Sequence, residues 1–199
     1  MADNKSGRED QAAAEQRRQR ERAIQAELER MDEPEPPVDT SELAYFETEL
    51  EALSFPATGA EVVDALGDRE LKAVNDSYAV AELVPDTEAE AFESPSALRV
   101  RVQRPTVARA MKRMVEASDT LSGEQLSGSQ WEAYEQTFRA LAAVTPDDED
   151  EGIEVVADWI VERIEQKGKL PGSRTVRKRA AKYCRSNGYS IRDDEWLGA

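Results

Sequence analysis

The sequence predicts a mainly α fold with minor β, of the α+β class. Apolar residues recur at helical spacing in most of the ordered-looking stretches. Those stretches begin behind Ser or Thr and end at Gly or Pro, the usual start and stop residues of helices. Period-two alternation is confined to "RELKAV" and to an ambiguous run, "SPSALRVRVQRP". The expected organisation is a charged helical arm and Pro-rich linker over 1–39, a small mixed domain over 40–118, and a helical domain over 119–199 that carries a basic, helix–turn–helix-like end.

Composition narrows the class. Hydrophobic residues are 39% of 199, below the ~45–50% usual for globular chains, so part of the chain is expected to be extended or disordered. The longest apolar runs are a few residues, too short to span a membrane. The start, "MADNKSGRED", lacks the apolar core of a secretory signal. Cys184 is the sole cysteine, which excludes an internal disulfide and fits a reducing compartment. A cytoplasmic protein with no membrane role is expected.

In chain order, residues 6–31 make the first helix candidate, with Ser6 and Glu9 at capping-box spacing and Pro34 as the stop. Its arginines, Arg17, Arg18, Arg20 and Arg22, offer a nucleic-acid contact, but their interleaving with Glu15, Glu21 and Glu27 favours a solvated face. "DEPEPPVDT" reads as a stiff acidic linker. Leu43, Phe46, Leu50 and Leu53 mark a helix behind Thr40 or Ser41. "PATGAEVVDALGD" starts another, with Thr58 and Glu61 as its box and Gly67 as its stop. "RELKAV" alternates like a strand, Asn75-Asp76-Ser77 turns, and "AVAELVP" is a short helix or turn closed by Pro85. "SPSALRVRVQRP" fits either a helix opened by Ser94-Pro95 or a strand, and Thr106 to Ser118 is helical again.

The middle region, "FPATGAEVVDALGDRELKAV" with the later "FESPSALR", resembles a family of small uncharacterised acidic proteins of halophilic archaea. The residues that carry the likeness are Phe55, Pro56, Thr58, Gly67, Asp68, Arg69, Glu70, Ser94 and Pro95. The family brings no established activity and therefore no site residues. The charge bias is similar to the proteomes of such organisms: 42 Asp and Glu, 19 Arg, 7 Lys and no His, for a formal net charge of −16. What that resemblance implies is an acidic surface that keeps a protein soluble in molar salt. An acidic solvating chain and a mimic of nucleic-acid charge are the competing readings. The amphipathic helices argue against disorder for most of the chain.

In the last third, Trp131, Tyr134, Phe138 and Leu141 form a core stripe behind Ser127 or Ser129. Ile153, Val156, Trp159, Ile160 and Ile164 mark the next helix, ended by Gly168. Ser173 is expected to cap a third helix that stops at Asn187-Gly188, followed by "YSIR" as a short strand and by Trp196 and Leu197 as an anchor.

The third helix carries the strongest signal. From Gln166 to Arg192 there are nine Lys or Arg and no acid, a net of +9 that leaves −25 for the rest (−16 minus 9). At ~100° per residue, Val176, Ala180, Tyr183 and Cys184 fall on one side. Arg174, Lys178, Lys182 and Arg185 gather within about 80° on the other, with Arg177 and Arg179 at the flanks and Ala181 leaving room among the charges. "LPGSRTVR", with Leu170, Pro171, Ser173, Arg174, Thr175, Val176 and Arg177, resembles runs in bacterial and archaeal helix–turn–helix regulators and short repeats that accompany homing nucleases. The likeness implies a second helix facing nucleic acid. At ~1 M ionic strength the Debye length is about 3 Å, so such a face then acts through direct contact and shape.

Three readings compete for this face: DNA or RNA through Arg174, Arg177, Lys178, Lys182 and Arg185; an acidic protein partner; or no outside ligand, the face being neutralised by the chain's own Asp147, Asp148, Glu149, Asp150, Glu151, Glu154 and Asp158 or simply solvated. A second basic stretch, Pro95 to Val115, holds Arg99, Arg101, Arg104, Arg109, Lys112 and Arg113, and adds to the first reading if both share a surface.

Catalysis is not expected. Without His, Ser and Cys nucleophiles lack their usual base, and Cys184 sits on the predicted apolar side as a buried thiol. "DDEDEG" departs from a calcium loop at its third, fifth, eighth and twelfth places, and zinc lacks ligands. No cofactor or metal is expected. The reading is a non-catalytic nucleic-acid-binding, regulatory protein, with an interaction or scaffold protein as the alternative.

Overall fold

The computed structural model describes residues 37–74, 76–121, 126–144, 150–191 and 196–198. The predicted arm helix at 6–31, and Asp147, Asp148 and Glu149, lie outside the described residues. The described chain is mainly α with short antiparallel strands, and all of it belongs to one compact unit, Pro36–Ala199.

Helix α1 (Thr40–Leu50) buries Leu43, Phe46 and Leu50. Its cap is Asp39 and not Thr40 or Ser41: the Asp39 carboxylate accepts from the Ser41 amide at 2.7 Å, since an oxygen one residue earlier reaches the free amides of the first turn. Leu53 lies beyond the helix and packs half-buried. The end of the Pro-rich stretch joins the fold, because Val38 is buried and bridges Ala73.

After a cis Phe55–Pro56 bond, strand β1 (Ala57–Thr58) pairs antiparallel with β4 (Ala91–Phe92). Helix α2 (Gly59–Leu66) starts on the predicted capping box: Thr58 Oγ1 accepts from the Glu61 amide at 3.2 Å, and Glu61 accepts from the Thr58 amide at 2.7 Å. Strand β2 (Glu70–Lys72) pairs with β3 (Ser77–Ala79), and α3 (Val80–Leu83) is one turn. Arg69 ties this hairpin to α1 through Glu42 at 3.0 Å and Glu49 at 2.7 Å.

The ambiguous run is a helix, α4 (Pro95–Val102), with Ser94 accepting from the Ala97 amide at 3.3 Å. Its i, i+4 pair Leu98 and Val102 is buried, and Val100, which a strand would have placed beside them, is exposed. Helix α5 (Pro105–Asp119) follows, with Pro105 at its first position, where the missing N–H costs nothing.

Two apolar clusters meet along α5. Ala108 joins the cluster built from Val38 to Val102, while Val107, Ala110, Met111 and Met114 join one that runs on to Leu197. The second cluster contains α6 (Gly128–Ala142), α7 (Glu151–Lys167) and α8 (Ser173–Ser186). Tyr134, Phe138 and Leu141 are fully buried, and Trp131 is partly so. Residues 189–191 form no strand, contrary to the reading of "YSIR". Tyr189 instead meets Tyr183 edge-on, with ring centroids 6.1 Å apart. The expected anchor is present: Leu197 is buried, and the Trp196 indole N–H donates to Thr137 Oγ1 at 2.9 Å.

Candidate nucleic-acid interface

Helix α7 ends at Gly168, whose φ of 62° is a left-handed stop and whose amide donates to the Ile164 carbonyl at 2.8 Å. The connection 168–172 is held from below, because the Tyr134 hydroxyl donates to the Pro171 carbonyl. Helix α8 then begins with Ser173 inside its first turn. Gly172 is the capping position, and no side chain caps it. The predicted role of Ser173 is corrected accordingly: extended backbone ends at Gly172, one residue earlier than the hydroxyl would need.

Val176, Ala180, Tyr183 and Cys184 are buried against α6 and α7, as the helical spacing requires. Arg174, Lys178, Lys182 and Arg185 are all exposed, and none of their side chains forms an ion pair or hydrogen bond with a described residue. Lys167 and Lys169, leading into the turn, are exposed as well. Arg177 is set apart from the four: its guanidinium lies 5.1 Å from the Trp196 ring. On the other flank Arg179 lies 6.0 Å from the Trp159 ring, which Arg163 also meets at 5.3 Å. Both flanking arginines therefore cover aromatic surface. Ala181, expected to open space among the charges, is buried.

The second basic stretch behaves in the opposite way. Arg109 faces Glu154 at 3.9 Å, Arg113 bonds Asp158, Lys112 bonds Glu116, and Arg99 faces Glu47 at 3.6 Å. Two acids expected to neutralise α8, Glu154 and Asp158, are thus turned toward α5. Glu151 accepts from the Tyr183 hydroxyl at 3.5 Å. Proximity in sequence to α8 misplaces Glu154 and Asp158, because α7 packs along α5, whereas Glu151 does reach α8 through Tyr183.

Arg101 is the extreme case. It is 7% exposed, bonds Glu90, and its guanidinium lies 5.6 Å from the centre of the Phe92 ring and 4.5 Å from that of Trp131. Burial pushes the Glu90 carboxyl up from its ordinary value, against the pull of Arg101 and of the nearby Trp131 indole. Burial also raises Glu135, helped by repulsion from Glu90 and Glu132 and opposed by Arg101. The native state thus holds the Glu135 proton more tightly than the unfolded chain does. Its contribution to stability is full below the unfolded value and is lost as pH rises through the native one. Glu135→Gln is expected to raise the melting temperature at pH 7, with the gain shrinking to nothing below about pH 4.5. Thermal melts of both proteins from pH 4 to 8 measure it.

Cys184 is fully buried, as its place on the apolar side implies. Among the described residues no group of His, Cys, Asp and Glu could hold a metal ion, and no helix is long and apolar enough to cross a membrane. No curated protein and no solved structure matches the chain. Residues 39–114, which include every position of the Phe55-to-Pro95 likeness and end within α5, match the model of a family of unknown function, DUF5789, and α8 lies outside that match.

Proposed function

We propose that this is a non-catalytic nucleic-acid-binding protein that contacts its ligand through Arg174, Lys178, Lys182 and Arg185. The observation that carries the reading is the contrast between two basic stretches. Along α4 and α5, Arg99, Arg101, Arg109, Lys112 and Arg113 all meet a carboxylate of the same chain. The α8 four are exposed, lie within one ~80° sector, and meet none among the described residues. Phosphate esters supply the missing counter-charge with direct, charge-assisted hydrogen bonds.

The alternative reading is an acidic protein partner on the same face, supported by the same charge and by the absence of base-reading amides along it. The reversal Arg174→Glu/Lys178→Glu/Lys182→Glu/Arg185→Glu separates these from a structural role. The variant is expected to keep its circular dichroism and melting behaviour, since the four side chains touch no described partner. Its affinity for nucleic acid at low salt is expected to fall by more than 100-fold. Loss of the fold would return the face to a structural role. A folded wild type that binds neither DNA nor RNA at any salt would overturn the proposal.

A further inference from the structure

We infer that the α8 face takes the phosphodiester backbone of duplex DNA, held along one strand without reading its sequence. The inference rests on the nucleic-acid reading above and narrows it. Arg174, Lys178, Lys182 and Arg185 follow one another at intervals of four, four and three residues, so they form a single line about 16 Å long on the helix. A helix seated in a major groove, about 12 Å wide, has a phosphate ridge on each side. Its flanking cations hold the ridges, and its central line meets base edges.

Helix α8 has the reverse arrangement. The flanking Arg177 and Arg179 lie on the rings of Trp196 and Trp159, and the outward line consists of long cations. Thr175 and Ser186 are the other exposed residues of the helix, so no amide side chain is offered to adenine, and the base contact left to this line, Arg or Lys on guanine, would show as a sequence preference. Ala181, the small residue that would have let the helix approach bases, is buried. A line of cations backed by occupied flanks fits one phosphate ridge.

Two other nucleic-acid forms fit less well. Unpaired strands are held by aromatic rings on which bases stack. The indoles beside α8 carry guanidinium groups, Trp196 is further tied to Thr137, and Tyr183 is buried against the edge of Tyr189. Duplex RNA is held through 2′-hydroxyls by surfaces that reach two successive minor grooves, and one straight line has no second contact.

Four phosphate contacts predict a slope of log K against log salt of about −3.6, or −0.9 times four. Affinity then falls about 4,000-fold between 0.1 M and 1 M KCl. Fluorescence anisotropy of the full chain with two unrelated 20-bp DNA duplexes, their single strands and a 20-bp RNA duplex tests this. Equal affinity for both DNA duplexes within twofold is expected, with weaker binding of the single strands and of the RNA duplex. Lys178→Gln/Lys182→Gln is expected to halve the slope to about −1.8 on both duplexes alike. A tenfold preference for one sequence, tighter binding of single strands or of RNA, or a slope untouched by the double change would overturn the inference and leave the nucleic-acid reading standing. Absence of binding to every probe would overturn both.

Discussion

Exchanging Arg101 for alanine is expected to destabilise the fold by roughly 3–5 kcal/mol, the usual cost of removing one partner from a buried ion pair. Glu90 would be left with its charge in a site from which water is largely excluded, and the Phe92 and Trp131 rings would both lose the guanidinium beside them. Because the orphaned carboxylate can take up a proton, the penalty should be smaller at pH 5 than at pH 8. Chemical denaturation at both values measures it. The double change Arg101→Met/Glu90→Leu should recover most of the loss, since an apolar pair needs no solvation. Arg99→Ala is the control: the Arg99–Glu47 contact is 3.6 Å long between side chains 33% and 37% exposed, where an ion pair is worth about 0–1 kcal/mol. A loss of similar size in both variants would show that burial does not set the value of the Arg101 pair.

The same residue shows where sequence reasoning ends. Arg101 and Arg99 are indistinguishable on the page, being alternate members of "LRVRV" in a run with no acid. Their environments differ because α4 turns Arg101 toward Glu90 and Trp131, 11 residues upstream and 30 downstream, and no local pattern encodes that meeting. The run also looked as much like a strand as a helix. Ser94-Pro95 settles it, since a side-chain cap and a fixed φ start a helix that the alternation of Leu98, Val100 and Val102 cannot undo. Periodicity was reliable wherever it had a long core to face. Tyr134, Phe138 and Leu141, and Val176, Ala180 and Cys184, all lie where a period of 3.6 puts them. The gathering of Arg174, Lys178, Lys182 and Arg185 was legible for the same reason, because the apolar side of α8 fixes the helix rotation and hence the outward side. Their freedom from ion pairs with described residues was not legible. It depends on Glu154 and Asp158 being turned to Arg109 and Arg113, which is a matter of how α7 crosses α5.

Gly59→Val is expected to cost about 3 kcal/mol, the upper end of the range for forcing atoms into a packed site. A Cβ built on Gly59 would stand 2.1 Å from the Pro85 carbonyl oxygen and 3.3 Å from that of Thr87. Those atoms are backbone, so no rotamer change can relieve the contact. The approach is close because the first turn of α2 spends its free amides on this loop: Gly59 N–H donates to the Glu90 carbonyl at 2.9 Å, and Ala60 N–H to that of Thr87 at 3.2 Å. Pushing the loop away would break both bonds and displace Glu90 from Arg101, so the valine should also weaken the buried pair. The loss from Gly59→Val combined with Arg101→Ala should therefore be smaller than the sum of the two single losses. Gly128→Ala is the comparison, because a Cβ there meets nothing within 4 Å and shortens the list of unfolded conformations at little cost. Additive losses at Gly59 and Arg101 would mean that the loop yields without moving Glu90. Thr58, Glu61 and Arg69 serve the same end as Gly59, the first two by opening α2 and the last by clamping the hairpin to α1. Residues 39–114, which match the DUF5789 model, contain this framework, and Arg174, Lys178, Lys182 and Arg185 lie outside them, on α8.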